Sequence, residues 1–190
     1  MDNLIIFDFY GVISKELAPT WFRNHFNEQE AKILKDKYFI PGDLGKYDIY
    51  EIFHMIANDF NLNYNEILNE FKSYAKLNDE LINNIKDLRK NNTVALLSNA
   101  CKGIFDLCFP NLDLNSMFDK VFISCNYHLI KPNFEFYNLC KNSFKKEFDQ
   151  VFMIDDNINN INHLNEINII GIQFKSNQEL YKELKKYGLK

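Results

Sequence analysis

The chain has 190 residues, 46% of them hydrophobic, and a formal net charge of -4 with acids and bases interspersed. That is apolar material enough for one domain, or one domain carrying an insertion, around a real core. It leaves no electrostatic footprint for nucleic acid and no polybasic segment for a membrane surface, so neither partner is expected. The longest apolar runs, such as "VALL" and "VFMI", fall far short of the ~20 residues that span a bilayer, and the N-terminus lacks a basic region before its short first strand. A cytoplasmic monomer or homodimer is therefore expected. Cys101, Cys108, Cys125 and Cys140 lack CxxC spacing and lie in apolar or helical surroundings, which reads as reduced core residues rather than a zinc site or a disulfide framework.

In chain order, "LIIF" opens as a buried strand that ends on Asp8. Residues 15–90 then read almost wholly helical: "TWFRNHF", "EQEAKILKDKYF", "YDIYEIFHMIANDF", "YNEILNEFKSYA" and "DELINNIKDLRK" space their apolar residues at three and four. Pro41, Gly42 and Gly45 are expected to break that pattern, with Tyr47 or Asp48 opening the next helix. From residue 92 short apolar runs alternate with helices: strand "TVALLS", a helix near "CKGIFDLC", strand "KVFIS", helix "NFEFYNLCKNSF", strand "QVFMID", helix "NINNINHLNEI", strand "IIGIQF" and helix "NQELYKELKKYG". Such alternation implies an α/β fold, a Rossmann-like parallel sheet with helices on both faces. The expected domains are a core of residues 1–14 and 80–190 and an inserted helical cap of residues 15–79.

Parallel strands joined by right-handed crossovers end on one side, and ligands bind along that edge. The residues delivered there are Asp8 after the first strand, Ser98 and Asn99 after the second, and Asp155 and Asp156 after the fourth, with Lys131 and Pro132 in the loop after the third. Each alone has a plainer reading as a turn or helix cap. Together, three carboxylates repel one another unless a cation sits among them, and an all-oxygen set suits Mg²⁺. Ser98 is able to donate a hydrogen bond to an anionic oxygen, and Lys131 to balance a phosphate and the acid beside it. With its charge masked in this way, Asp8 is placed to act as a nucleophile that forms an aspartyl-phosphate.

The stretches "FDFYGVI", "LLSNA", "IKPNFEFY" and "MIDDNINNI" resemble the four motifs of the haloacid dehalogenase-like (HAD) hydrolase superfamily, and the helical segment after the first is similar to that family's cap. The nearest likeness is to the small phosphatase-like branch that includes glucose-1-phosphatase and the N-terminal domain of soluble epoxide hydrolase. The resemblance implies a Mg²⁺-dependent phosphatase acting on a small phosphorylated metabolite. It implies Asp8 as nucleophile, Ser98 and Asn99 as phosphate contacts, and Lys131 as the charge-balancing base. Asp156, with Asp155 beside it, Asp8 and the Tyr10 backbone carbonyl would hold the metal, and Asn160 is not counted as a ligand.

Tyr10 departs from the phosphatase pattern, in which the residue two beyond the nucleophile is an aspartate that moves the proton. A tyrosine is a poor base at neutral pH, and loss of a positioned acid/base typically costs about 10²- to 10⁴-fold in rate. Three readings follow: a slow phosphatase, a catalytically impaired member that binds a phosphorylated ligand or a protein, and a metal-independent L-2-haloacid dehalogenase, since those enzymes carry Asp, any residue, Tyr, Gly at this motif. Asp155 and Asp156 oppose the last, because extra carboxylates repel a haloacid unless neutralised. Trp21, Phe22, Phe26 and Phe53 are expected to pack between cap helices, the alternative being a substrate-lining face. Lys15, Arg23 and Lys46 are candidates for bringing positive charge to the cleft, and His25, His54, His128 and His163 lack metal spacing.

Overall fold

A computed structural model describes residues 2–189. Five short apolar runs become strands: β1 (Leu4–Phe7), β2 (Thr93–Ser98), β3 (Lys120–Ile123), β4 (Val151–Asp155) and β5 (Ile170–Gln173). They form one parallel sheet in the order β3-β2-β1-β4-β5, which confirms the Rossmann-like α/β reading. The three central strands are buried along their whole length, whereas β3 and β5 at the edges are only partly so. Alternation of side chains sorts them between two apolar layers. Ile5, Phe7, Val94 and Leu96 enter one cluster, and Leu4, Ile6, Ala95 and Leu97 enter the other.

Nine α-helices are described: α1 (Ala18–His25), α2 (Glu28–Asp43), α3 (Ile49–Phe60), α4 (Tyr64–Tyr74), α5 (Asp79–Leu88), α6 (Ile104–Cys108), α7 (Leu114–Met117), α8 (Phe134–Asn142) and α9 (Asn177–Lys186). α5 and α9 contribute Leu81, Ile85, Leu180 and Leu184 to the first layer, and α8 contributes Phe136, Tyr137 and Cys140 to the second. α1–α4 pack on one another between β1 and α5. The chain enters and leaves this segment side by side: Ser14 bridges Leu77, Lys15 N–H donates to the Lys76 carbonyl (3.1 Å), and Asn78 N–H donates to the Ile13 carbonyl (2.8 Å). Trp21, Phe22, Phe53 and Phe71 are fully buried in the same cluster as Phe7 and Phe9, so apolar packing is continuous from the inserted helices into the sheet.

Local chemistry explains the helix starts. Asp48 and Glu51 form a reciprocal capping box at α3, with Glu51 N–H donating to Asp48 Oδ1 (2.9 Å) and Asp48 N–H to Glu51 Oε2 (2.8 Å). Ile49, Ile52, Phe53 and Ile56 follow at helical spacing and are all buried.

Two expectations are corrected. α2 does not break at Pro41 and Gly42 but continues to Asp43. Gly42 is a close-packing residue, since a Cβ there would lie 2.5 Å from Ile52 Cδ1 on α3, and the turn comes only at Gly45, whose φ is +83°. The stretch "NINNINHLNEI" is not an α-helix but two 3-10 turns, Ile158–Asn160 and Leu164–Ile167. Asparagine side chains compete there with helical bonding: Asn157 accepts from the Asn159 N–H (3.1 Å), and Asn160 turns its amide to Asp155.

Phe71 packs against Trp21, Phe39 and Phe53. Phe71→Ala is expected to cost about 3–5 kcal/mol, read as a lowered midpoint in urea unfolding.

Candidate active site

The strand order reverses beside β1, because β2 and β3 lie on one side of it and β4 and β5 on the other. Open parallel sheets bind ligands at such a switch point, outside the carboxyl ends of the strands. Here β1 and β4 deliver Asp8 and Asp155, and the ladder extends to Asp8 through its N–H bond to the Ile154 carbonyl (2.8 Å).

Lys131 joins the two. Its Nζ lies 2.7 Å from Asp8 Oδ1 and 2.6 Å from Asp155 Oδ2, and all three residues are buried. Burial pulls the Lys131 ammonium down, but Asp155 and Asp8 outweigh it and hold its pKa above the ordinary value. Burial pushes the Asp8 carboxyl well up against the pull of Lys131, with Asp155 and Asp156 adding to the push. The Asp156 carboxyl is raised by burial and then by Asp155.

Oxygen atoms of Asp8, Asp155 and Asp156 all lie within 4.8 Å of one another. Asp155 is the most heavily bonded of them. Besides Lys131, it accepts from the Asn157 N–H (2.9 Å) and from Asn160 Nδ2, which is 3.0 Å from each of its oxygens. Its acceptor sites are thus taken up by nitrogen donors, and it anchors the cluster. Asp156 packs against Gly11: φ there is +80°, and a Cβ would fall 2.3 Å from Asp156 Cγ. Among the described residues no backbone N–H donates to the neighbouring Tyr10 carbonyl. An oxygen-only set of this kind, with one ammonium against three carboxylates, has the donor chemistry to hold a hard cation.

Ser98 Oγ is buried with no hydrogen-bond partner among the described residues. It sits at the end of β2, while Asn99 and Ala100, the residues that follow it, line the cavity above Asp8. Asn99, expected as a phosphate contact, uses its side chain differently. Its Oδ1 accepts from the Lys131 N–H (2.8 Å) and its Nδ2 donates to the Lys131 carbonyl (3.1 Å), which clamps the lysine loop to β2.

The Tyr10 ring stands edge-on to Phe9 and lies beside Phe105, with its hydroxyl buried and unpartnered. Burial pushes that phenol well above its usual pKa, so it stays protonated at neutral pH.

The cavity measures about 330 Å³ and is floored by Asp8, Lys131 and Asp156. The aromatic residues read as cap packing do pack: Trp21, Phe22 and Phe53 are fully buried, and Phe26 packs against the same cluster. Leu17, Phe39 and Ile40 line the cavity instead. Lys15, Arg23 and Lys46 are exposed and lie outside its lining. The histidines are engaged elsewhere. His25 bonds Glu70 and stacks on Trp21, His54 stacks on Tyr64, His128 bonds the Leu44 carbonyl, and His163 faces Glu166.

The sequence reading passed over Glu16, Lys35, Asp36 and Asp43, which form the polar wall of the cavity. Lys35 and Asp36 pair at 2.8 Å. Glu16 and Asp43 are each pushed up to about 7 by burial. No motif marks them; the signal open to a sequence reader was a charged residue in the short link from the first strand to the first helix, and another beside a Pro-Gly pair.

Lys131→Met leaves Asp8 and Asp155 buried without their shared cation. It is expected to destabilise the chain by about 3–5 kcal/mol, measured by urea unfolding in metal-free buffer. Asp43 predicts a pH effect. A carboxyl whose pKa is raised on folding binds its proton more tightly in the folded state, so stability falls as pH rises from the unfolded value near 4 through about 7. Asp43→Asn is expected to flatten the decline in melting temperature between pH 5 and 8, read from melts at constant ionic strength.

Residues 3–167 match the model of the haloacid dehalogenase-like hydrolases. No curated protein sequence matches the chain significantly. Among solved structures, the fold is similar to a HAD family enzyme from Bacteroides thetaiotaomicron in complex with magnesium and inorganic phosphate. The TM-score is 0.75 at 21% identity, over 93% of this chain and 96% of that one. It is also similar to a predicted HAD-like family hydrolase from Porphyromonas gingivalis (TM-score 0.78, 18% identity, 100% and 99% coverage). A third likeness is to the L-2-haloacid dehalogenase of Xanthobacter autotrophicus with chloropropionic acid covalently bound (TM-score 0.63, 15% identity, 100% and 85% coverage). With the family model spanning most of its length and the fold agreeing, this chain belongs to the haloacid dehalogenase-like hydrolases.

Proposed function

We propose that the protein is a Mg²⁺-dependent phosphatase that cleaves a small phosphorylated metabolite through an aspartyl-phosphate on Asp8. The observation that carries this reading is the fork of Lys131 between Asp8 and Asp155 inside a cluster of three carboxylates. A dehalogenase substrate is itself a carboxylate, and this cluster repels it; a cation and a phosphoryl group together satisfy it. The magnesium and phosphate in the Bacteroides relative are in keeping with that assignment.

Asp8, Asp156 and the Tyr10 carbonyl are the groups that would hold the metal, with Asp155 behind them fixing Lys131 and Asn160. When bound, Mg²⁺ supplies positive charge that offsets the carboxylates and the phosphoryl oxygens. The chain's own residues do the rest. Lys131 holds the Asp8 carboxylate in place for attack on phosphorus and balances its charge. The unpaired Ser98 hydroxyl is available to a phosphoryl oxygen; leaving it unsatisfied costs about 1–3 kcal/mol, and a bound ligand would recover part of that. Leu17, Phe39 and Ile40 exclude water above the attack site, and a cavity of about 330 Å³ suits a small metabolite. We read α1–α4 as the cap that sets which one.

The Tyr10-Gly11 pair keeps the dehalogenase as the second reading. A panel of phosphate esters with and without Mg²⁺, alongside L-2-chloropropionate, separates the two. Metal-dependent phosphate release that Asp8→Asn abolishes is the expected result. Chloride release without added metal would replace this reading with dehalogenation. A melting shift with Mg²⁺ and a phosphate mimic, but no turnover of any ester, would mark a binding protein instead.

A further inference from the structure

Cleaving an alkyl phosphate ester needs a group that gives a proton to the departing oxygen and later takes one from water. The groups lining the cavity are few. Tyr10 is sealed against Phe9 and Phe105 with its hydroxyl buried. Lys131 is spent on two carboxylates, Lys35 and Asp36 on each other, and the Asn99 amide on the Lys131 backbone. Asp156 is one of the groups that would hold the metal. Glu16 and Asp43 remain, and among the described residues neither carboxylate has a hydrogen-bond or ion-pair partner.

We infer that Glu16 is the proton donor and acceptor of this site, taking the work that Tyr10 cannot do. The inference rests on the phosphatase reading above. Its ground is position. Glu16 lines the same cavity as Asp8, Lys131 and Asp156, and its backbone is held at both ends. Lys15 is bonded to Lys76 on one side, and Thr20 Oγ1 donates to the Glu16 carbonyl (2.6 Å) on the other. Asp43, at the end of α2, feels Lys35, Glu16, Lys131 and Asp36, whereas Glu16 feels Asp156, Lys35, Lys131 and Asp155. Both carboxyls feel Lys131, and of the two Glu16 is the one with Asp156 and Asp155 among its foremost charged neighbours. Its carboxyl, pushed up to about 7 by burial, is present in both protonation states near neutrality, as a donor that becomes an acceptor requires.

In the first step an Asp8 oxygen bonds to phosphorus, the bond from phosphorus to the ester oxygen breaks with its electron pair going to that oxygen, and the Glu16 proton follows it to give the alcohol. In the second, water bonds to phosphorus, Glu16 takes a water proton, and the pair of the Asp8–phosphorus bond returns to the Asp8 carboxylate. Alcohol and phosphate leave, and Glu16 is again protonated.

The test compares an alkyl phosphate with 4-nitrophenyl phosphate, whose phenolate leaves without a proton, in single turnover with Mg²⁺. Glu16→Gln is expected to slow alcohol release from the alkyl ester by about 10²- to 10⁴-fold. Its nitrophenolate burst should stay within about tenfold of the native chain, and phosphoenzyme should accumulate in acid-quenched samples because the second step has lost its base. Glu16→Asp, which keeps a carboxyl on a shorter arm, should recover part of the alkyl-ester rate and serves if the glutamine variant melts early. Equal loss on both esters, or a leaving-group-selective loss in Asp43→Asn instead, overturns the assignment. A native chain that turns over neither ester overturns the phosphatase reading itself.

Discussion

The structure of the site depends on one buried ammonium. Lys131 Nζ lies 2.7 Å from Asp8 Oδ1 and 2.6 Å from Asp155 Oδ2, and all three residues are buried. Buried charges persist only when paired and hydrogen-bonded, and the surroundings meet that demand one contact at a time. Asn99 grips the Lys131 backbone on both sides. Ser124 Oγ in turn accepts from the Ala100 N–H (2.9 Å), steadying the loop that carries Asn99. Asn160 and the Asn157 N–H complete Asp155, and the Tyr137 hydroxyl donates to the Asn160 carbonyl (2.6 Å), tying α8 to the same network. Loops from three strands are thereby fixed to one another around a single cation.

That arrangement still leaves three carboxylates against one ammonium. The excess negative charge, with Gly11 packed on Asp156 and, among the described residues, no backbone donor to the Tyr10 carbonyl, gives the edge of the sheet the donor chemistry for a further cation. The helices above close the site by packing rather than by charge. Their aromatic core is continuous with that of the sheet, so the wall they present over Asp8 and the floor beneath it share one apolar cluster. The polar part of that wall carries Glu16 and Asp43, two carboxyls that have no hydrogen-bond or ion-pair partner among the described residues. Burial tunes both toward neutrality.

Much of this was legible in the residues. The central strands are apolar on both faces and ended on Asp8, Ser98 and Asp155 where the alternation of strands and helices said they would. The capping box at Asp48 and Glu51 marked its helix start. The readings that failed did so where a local signal met a tertiary demand. Pro41 and Gly42 looked like a break, but α3 needed a helix surface without a Cβ at Gly42. The asparagine-rich stretch had helical spacing, but Asn160 was required by Asp155 and its backbone settled into 3-10 turns. The Asn99 side chain, besides lining the cavity, clamps the Lys131 loop, a second task that the sequence does not announce.

By itself the sequence determined the fold class and the set of chemical groups at the sheet edge, because strand burial, crossover handedness and strand-end residues follow from patterns local in the chain. Only the tertiary structure decided how those groups share their charges. That Lys131 serves two acids, that Asp155 is saturated by nitrogen donors, that the Tyr10 hydroxyl is buried, and that Glu16 lines the cavity with no partner among the described residues all depend on residues far apart in sequence. Protonation and hydrogen bonding answer to that assembled environment, and no run of neighbouring residues encodes it.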